Sequence, residues 1–225
     1  MNEKINRLNP VILQLYIAAI AALLFIPFLG GEHLFDWDEI NFAESAREMI
    51  VSGDYLTVQI NFQPFWEKPP LFIWMQVLSM KLFGINEFAA RFPNAICGIV
   101  TLLVLFNIGR KIRNNLFGLL WVLAYAGSVL PFFYFKSGII DPWFNLFIFL
   151  GVYFLMLYAF PENKQKLRNI ILAATFAGLA ILTKGPVGFL LIALTGGVFL
   201  LWEKFKVKVR VMDVVTYFVV LALVG

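Results

Sequence analysis

The sequence NIILAATFAGLAILTKGPVGFLLIALTGGVFLLW, residues 169–202, decides the class of fold. It contains two apolar runs separated by the turn motif TKGP, and Lys184 is its single charged residue. A membrane-spanning helix needs about 20 mostly apolar residues, and a bilayer accommodates such runs in series. The whole chain is 61% hydrophobic and 14% charged, whereas soluble domains are about 45–50% apolar and about 25% charged. We therefore expect an all-α, polytopic membrane helical bundle.

The apolar runs predict a series of spans. The first, Val11–Gly30, is too long for a signal-peptide core and has no convincing cleavage site, so we expect it to be retained. A further apolar run begins near Val214 and is cut short at Gly225, so we expect residues 1–225 to be the N-terminal part of a longer transmembrane domain. The remaining predicted spans lie near residues 92–109, 116–135, 139–160, 169–183 and 186–202.

Basic residues concentrate in alternate loops, and cytoplasmic loops carry an excess of Lys and Arg. With the N-terminus inside and Pro69–Gly84 not crossing, the cytoplasmic side holds twelve of the 18 basic residues but four of the 14 acidic ones. We therefore expect a multi-pass protein of the cell (inner) membrane with a cytoplasmic N-terminus. The acidic residues on that side are Glu3, Glu162, Glu203 and Asp213. The basic ones are Lys4, Arg7, Arg110, Lys111, Arg113, Lys164, Lys166, Arg168, Lys204, Lys206, Lys208 and Arg210.

The stretch Pro69–Gly84, PPLFIWMQVLSMKLFG, is either a short span or a helix lying in the membrane interface. Its opening prolines and closing glycine are typical helix boundaries. The stretch is short for a span, and the polar residues Gln76, Ser79 and Lys81 favour an interfacial helix. If it crossed, the basic loops that follow would lie outside, against the charge rule. We therefore predict a surface helix on the external side.

The external segment, residues 31–91, is predicted to carry a second surface helix. In NFAESAREMIVSG, Gly53 would end this helix. Asp54–Pro64 is predicted to be extended or loop. The apolar residues that recur at the spacing of an amphipathic helix are Phe42, Ala46, Met49 and Ile50.

Charged residues from four segments are predicted to meet at the external face. A carboxylate beside an acceptor hydroxyl or amine can act as a general base. Ammonium and guanidinium groups can stabilise the charge on a departing phosphate. A lipid carrier that presents a sugar phosphate at the membrane surface would need both kinds of group. The candidates are Asp38, Glu39, Glu67, Lys68, Arg91, Lys136, Asp141 and Lys184.

Each candidate also has a structural alternative. Asp38 could cap a helix that begins near Asn41, Asp141 could cap a span, and Glu39 could face water. Lys68 could be a snorkelling lysine at the membrane interface. Arg91 and Lys136 could bind lipid headgroups, and Lys184 could mark a tight turn. His33 and Cys97 offer no metal site, so none is predicted.

Four motifs follow one another in a fixed order. They are DWDEINFAESAREMIVSGDYLTVQINFQPFWEKPPLFIWMQVLSMKLFG (Asp36–Gly84), ARFPNAI (Ala90–Ile96), FKSGIIDPWFNLF (Phe135–Phe147) and LTKGPVGFLL (Leu182–Leu191). In this order the chain resembles the membrane glycosyltransferases related to dolichyl-phosphate-mannose–protein mannosyltransferases. The bacterial lipid A aminoarabinose transferase belongs to the same broad group.

The resemblance implies a C-type glycosyltransferase fold whose first external loop carries surface helices. It also implies a polyprenyl-phosphate sugar donor and an inverting transfer to a lipid, glycan or protein acceptor. We expect no cofactor and no nucleic-acid partner. By position, Asp38 resembles the catalytic base of this family, and Glu39 completes its motif. The implied donor-phosphate contacts are Lys68, Arg91 and Lys184, with Glu67, Asp141 and Lys136 in supporting positions.

Two other classes of function remain open at this point. A transporter or flippase of a lipid-linked or anionic substrate would carry ionisable residues near mid-membrane on broken helices. The charged residues of this chain instead cluster at the ends of its predicted spans. A non-catalytic assembly subunit would tolerate loss of the external charges.

Overall fold

The computed structural model describes residues 5–35, 37–160, 163–204, 206–207 and 209–225. Some residues that entered the charge count or the motif stretch lie outside this described part: Glu3, Lys4, Asp36, Glu162 and Lys208. The chain divides into two compact units. The first holds helices α1 and α2, most of α3, and α4 to α6; the second holds α8 to α10 and nearly all of α7.

The secondary structure is helical apart from one small hairpin. Strands β1 (Gln59–Ile60) and β2 (Gln63–Pro64) pair between the second and third helices. The helices are α1 (Pro10–Phe25), α2 (Asp38–Ser52), α3 (Leu71–Phe83), α4 (Glu87–Ile112), α5 (Asn115–Ala126), α6 (Val129–Phe135), α7 (Asp141–Ala159), α8 (Lys166–Lys184), α9 (Val187–Trp202) and α10 (Val211–Val224).

Several helices have the length and composition of membrane spans. In the described ranges, α4, α7 and α8 are each long and apolar enough to cross a bilayer. The helices α1, α3, α9 and α10 are apolar but shorter. With 16 residues, α1 is about 24 Å long at about 1.5 Å per residue, against a hydrocarbon thickness of about 30 Å. The architecture is thus the expected bundle of apolar helices.

The span predicted near residues 116–135 consists of two helices, α5 and α6, which are together long and apolar enough for one span. The helix breaks between α5 and α6, which meet at an angle of 76°. Gly127 ends α5, and the Ser128 hydroxyl donates to the Ala124 carbonyl at 2.8 Å, which closes the last turn. Pro131 then lies in the first turn of α6, where its missing N–H costs no helical hydrogen bond. Glycine, serine and proline together therefore favour a corner over a continued helix.

The first unit is built around α4, which packs against α1, α5 and α6. Small residues allow these close contacts. A Cβ added at Gly98 would lie 2.8 Å from ring carbons of both Phe25 and Phe135. A Cβ added at Gly118 of α5 would lie 2.6 Å from the Phe106 carbonyl oxygen. Glycine at these positions lets neighbouring helices approach closely, as is common between membrane helices.

A helix over the predicted stretch Asn41–Gly53 is confirmed, and it begins earlier, at Asp38. Helix α2 buries three of the four apolar residues that the periodicity selected, Phe42, Ala46 and Met49, while the fourth, Ile50, is half-buried. Gly53 follows it with φ 74°, a left-handed conformation that glycine adopts at little cost. The hairpin is tied to the same helix, because the buried Glu48 carboxylate accepts the Phe62 N–H at 2.9 Å.

The stretch Pro69–Gly84 forms a short helix, α3, of 13 residues. At about 1.5 Å per residue it is about 20 Å long, too short to cross about 30 Å of hydrocarbon without tilt or thinning. Gln76 and Ser79 were expected to face the interface, but both are buried in the protein. The exposed face instead carries apolar residues such as Leu78 and Leu82, which is the pattern of a helix that lies against lipid.

The second unit has an alanine-rich centre. Helix α8 packs against α9 and α10. Its buried face presents Ala173, Ala174 and Ala177, and small side chains of this kind permit close helix packing. Two tyrosines, Tyr158 of α7 and Tyr217 of α10, are buried in the same cluster.

The contact of Gly118 with Phe106 makes a stability prediction. Gly118→Ala should lower the stability of the protein by about 1–3 kcal/mol, because the new methyl group overpacks against a backbone oxygen. Thermal unfolding in detergent measures the effect. Gly197→Ala is the matched control, since a Cβ there meets nothing within 4 Å; it should leave stability unchanged or raise it by up to about 1 kcal/mol. Equal melting temperatures for the two variants would contradict the predicted helix contact.

Candidate active site

The centre of the first unit is a buried ion pair between Glu39 and Arg91. Glu39 is 1% exposed and Arg91 is 3% exposed. The contact is bidentate, with Nε donating to Oε1 at 2.8 Å and Nη2 donating to Oε2 at 2.9 Å. Two parallel charge-assisted hydrogen bonds fix both distance and orientation. The pair joins the start of α2 to the first turns of α4.

Arg91 has no N–H left for a ligand. A guanidinium carries five N–H donors, and two of them bond Glu39. Its Nη1 donates to the carbonyls of Leu29 at 2.7 Å and Glu32 at 2.8 Å, and Nη2 donates to that of His33 at 2.8 Å. Arg91 therefore holds the chain that connects α1 to α2. The expectation that it contacts a donor phosphate is not met in this arrangement.

Glu39 is equally occupied. Besides Arg91, its carboxylate accepts the N–H of Phe35 at 2.6 Å and the N–H of Gly138. A Cβ at Gly138 would lie 3.2 Å from the Glu39 Cγ and 3.2 Å from the Ala90 carbonyl, so the loop approaches closely because it has glycine there. The alternative that Glu39 faces water is wrong. Its bonds also leave it poorly placed to exchange protons with a substrate.

The loop between α6 and α7 is clamped from a second side. Asn94 lies one turn after Arg91, and its Nδ2 donates to the carbonyls of Ser137 at 2.6 Å and Ile139 at 2.7 Å. Gln76 of α3 donates to the Ala90 carbonyl at 2.9 Å. These bonds bring α2, α3, α4 and the loop to one place in the first unit.

Asp38 differs from its neighbour. It is the first residue of α2, and Trp37 precedes it as N-cap without a side-chain capping bond. The alternative that Asp38 caps this helix is therefore wrong. Its side chain is half-buried, and within the described part of the chain its carboxylate has no hydrogen bond or ion pair.

Trp37 stands in an unusual backbone conformation beside this carboxylate. Its φ is 67° and its ψ is −98°, and its side chain is 76% exposed. A bulky residue at positive φ is uncommon and strained, and such strain concentrates at functional sites. The conformation turns the chain so that the two acids enter helix α2 directly after it.

The other predicted site residues lie in separate segments. Lys136 donates from Nζ to the Pro27 carbonyl at 2.8 Å, so it contacts the chain after α1. Asp141 is the first residue of α7, as expected of a residue at the start of a span. Glu67 is exposed and Lys68 is half-buried in the stretch before α3. Lys184 ends α8, with its ammonium 5.5 Å from the centre of the Phe144 ring.

Sequence reasoning missed the residues that build the clamp. From the sequence, Gln76 is predicted to be an interface residue and no role is predicted for Asn94, Gly138 or Glu48, although all three lie within the quoted motifs. The available signal was polar residues inside otherwise apolar helices, because a buried amide needs a partner. The partners are backbone carbonyls, which a sequence does not specify.

These features define a polytopic helical membrane protein of the C-type glycosyltransferase fold. Residues 67–225 match the family described as dolichyl-phosphate-mannose-protein mannosyltransferase. The chain belongs to this family.

Solved and curated relatives agree with this assignment. The chain superposes on ArnT from Cupriavidus metallidurans, solved with undecaprenyl phosphate bound, with a TM-score of 0.81 and 26% identity over 92% of this chain and 40% of that one. It is 28% identical to the undecaprenyl phosphate-alpha-4-amino-4-deoxy-L-arabinose arabinosyl transferase of Shewanella sediminis, over 85% of this chain and 36% of that protein. It is 32% identical to an uncharacterized protein of Aquifex aeolicus, over 75% of this chain and 34% of that protein. The chain thus spans about a third of the length of these curated relatives.

The buried pair makes a second stability prediction. Arg91→Lys should destabilise the protein by about 3–5 kcal/mol, because an ammonium cannot reproduce the bidentate contact and leaves buried acceptors unpaired. Thermal unfolding in detergent checks it.

Arg47→Lys is the matched control for Arg91→Lys. Arg47 pairs with Glu44 at the surface, where its guanidinium holds the pKa of the Glu44 carboxyl below its usual value. Exposed pairs contribute about 0–1 kcal/mol, so this variant should unfold close to the wild type. An Arg91→Lys protein as stable as the Arg47→Lys protein would show that the buried pair is not a main structural contact.

Proposed function

We propose that this protein takes part in transferring a sugar from a polyprenyl-phosphate donor to an acceptor, by inversion. The observation that carries the proposal is the Asp38 carboxylate, which lacks a protein partner in the described ranges beside a neighbour that is fully bonded. The similarity to ArnT with undecaprenyl phosphate bound supports the donor class. The acceptor is a lipid, another envelope glycan or a protein.

Asp38 is assigned as the general base. A base needs an ionised carboxylate that can reach an acceptor and is not neutralised by a fixed cation. Asp38 is half-buried, stands at the start of a helix and has no fixed cation beside its carboxylate in the described chain. It takes the proton of the acceptor hydroxyl or amine as that atom attacks the anomeric carbon. The bond from this carbon to the phosphate oxygen breaks, and polyprenyl phosphate leaves with the electron pair.

Lys68 and Lys184 are assigned to the leaving phosphate. Both are half-buried cations, and both stand in motifs of the family resemblance, EKPP and TKGP. An ammonium near a departing phosphate stabilises the charge that develops there. Glu67, which precedes Lys68, is assigned a supporting role. Lys136, directly after α6, and Asp141, the first residue of α7, are assigned supporting roles as well.

Glu39 and Arg91 are assigned positioning roles. Their hydrogen bonds hold the chain before α2 and the Gly138 loop. The direction of the Asp38 side chain depends on both, because it begins the same helix. This assignment departs from the sequence-based one, which gave Glu39 to catalysis and Arg91 to the donor phosphate.

The orientation is part of the proposal. The excess of basic residues in alternate loops supports a cytoplasmic N-terminus, with residues 31–91 on the external face of the inner membrane. The donor head would then lie at headgroup level, with its isoprenoid tail along the bundle.

The decisive experiment is sugar transfer by membranes that contain the protein, supplied with a radiolabelled polyprenyl-phosphate sugar. Asp38→Asn removes the base while keeping the size of the side chain, and transfer should fall about 100-fold or more. Glu44→Gln, on the same helix but in a surface pair, should transfer at the wild-type rate.

Transfer by Asp38→Asn at the rate of Glu44→Gln would end the assignment of the base. Movement of the labelled lipid across the membrane without a covalent product would favour a flippase instead.

The phosphate assignment predicts a different kinetic pattern. Lys68→Ala should lower kcat/KM for the donor about 10- to 100-fold, because it removes one charge that meets the phosphate. Lys81→Ala is the control: Lys81 lies on α3 with its ammonium 4.2 Å from the Tyr55 ring and is exposed. The two variants should differ in their dependence on donor concentration. A Lys68→Ala protein that keeps its donor dependence while losing stability would assign Lys68 to folding.

A further inference from the structure

The second unit contains a cavity that the proposed transfer does not use. It has a volume of about 510 Å³ and lies among α7, α9 and α10, with one residue from α8. Its walls are almost wholly apolar and include Met156, Phe189, Ile192, Val214 and Phe218. Cavities of about 300–1,000 Å³ lined mainly by apolar side chains are typical ligand sites.

Glycines keep part of this cavity open. Gly196 and Gly197 both line it, and a Cβ added at Gly197 would meet nothing within 4 Å. Gly197 therefore borders open space and not a close contact with a neighbouring helix. The polar groups at one end are already paired, since the Tyr158 hydroxyl donates to the buried Asp213 carboxylate at 2.7 Å. An apolar occupant is thus expected in the interior.

A second cavity of about 450 Å³ shares walls with the first. Ala159, Phe199 and Val207 line both, so the two spaces adjoin. The second differs in charge, because Lys166 and Lys206 face it together with one acid, Glu203. An apolar cavity next to a basic one fits an amphiphile, with its apolar tail in the first cavity and its anionic head in the second.

We infer that this double cavity binds an anionic membrane phospholipid, with an acyl chain in the apolar part and the phosphate against Lys166 and Lys206. Basic pockets between membrane helices on the cytoplasmic side bind anionic lipid headgroups, and each nearby Lys or Arg strengthens the attraction. Lys166 begins α8 and Lys206 lies between α9 and α10, and four further basic residues, Lys164, Arg168, Lys204 and Arg210, are close by in sequence. Charge complementarity therefore selects an anionic lipid over a zwitterionic one.

This site is distinct from the proposed transfer site. Helix α7 is 19 residues long. That corresponds to about 28 Å at about 1.5 Å per residue. Its first residue, Asp141, has a supporting role in the proposed transfer, and its last residue, Ala159, lines both cavities. The lipid would bind at the end of the second unit where the basic loops lie, and it would hold α9 and α10 against α7.

Native mass spectrometry of the purified protein tests the inference, with dioleoyl phosphatidylglycerol and dioleoyl phosphatidylcholine titrated in parallel after delipidation. The wild type should bind phosphatidylglycerol with at least tenfold preference. Replacing both lysines, Lys166→Ala with Lys206→Ala, should weaken phosphatidylglycerol binding about tenfold or more, since each lysine contributes to the attraction. Lys81→Ala should leave it unchanged.

Filling the apolar cavity is an independent test. Gly197→Leu should abolish the lipid adduct, whereas Leu194→Trp, which adds bulk at a 61% exposed position of the same helix, should not. If Gly197→Leu does not fold, the lysine pair still decides, because Lys206 is exposed and Lys166 is half-buried.

Three results would overturn the inference: equal binding of the two phospholipids, equal binding by the lysine variants and Lys81→Ala, or no adduct on the wild type because another protein segment fills the cavity. Tighter binding of polyprenyl phosphate than of phosphatidylglycerol in the same titration would also overturn the choice of a phospholipid.

Discussion

The buried contact between Glu39 and Arg91 is the interaction on which the first unit depends. Removing two charges from water costs several kcal/mol for each ion, so such a pair persists only with additional hydrogen bonds. Here every N–H of the guanidinium has an acceptor, and the carboxylate also accepts the N–H groups of Phe35 and Gly138. The chain before α2, the first turns of α4 and the loop before α7 therefore form one connected polar network in an apolar protein.

The network gives a physical account of how a short acidic motif can serve a reaction. Two adjacent carboxylates on a helix point in different directions, about 100° apart around its axis. Glu39 points into the protein, where it is neutralised. Asp38 is left half-buried and unpaired among the described residues. Under the proposed assignment of Asp38 as the base, the bonds of its neighbour would orient it and leave its own carboxylate free to accept a proton.

The sequence predicted the parts of the fold that depend on local pattern. The apolar periodicity of α2, its end at Gly53 and the short helix α3 all appear where expected. It did not predict the corner between α5 and α6, because glycine, serine and proline in apolar runs are also tolerated within straight membrane helices. It also predicted an interface position for Gln76, because the sequence does not show that the Ala90 carbonyl of another helix accepts its hydrogen bond.

The amino-acid sequence by itself determined that this is a helical membrane protein and which motifs carry its charged residues, because hydropathy and residue order are local properties. Only the tertiary structure decided which charged side chains pair with each other inside the protein. Arg91 and Glu39 read as ligands or catalysts in the sequence, yet they neutralise each other because folding brings residues 52 positions apart within hydrogen-bonding distance. In a low-dielectric interior, the attraction between two nearby opposite charges is strong. The position of a charged side chain therefore decides its role more than its residue type does.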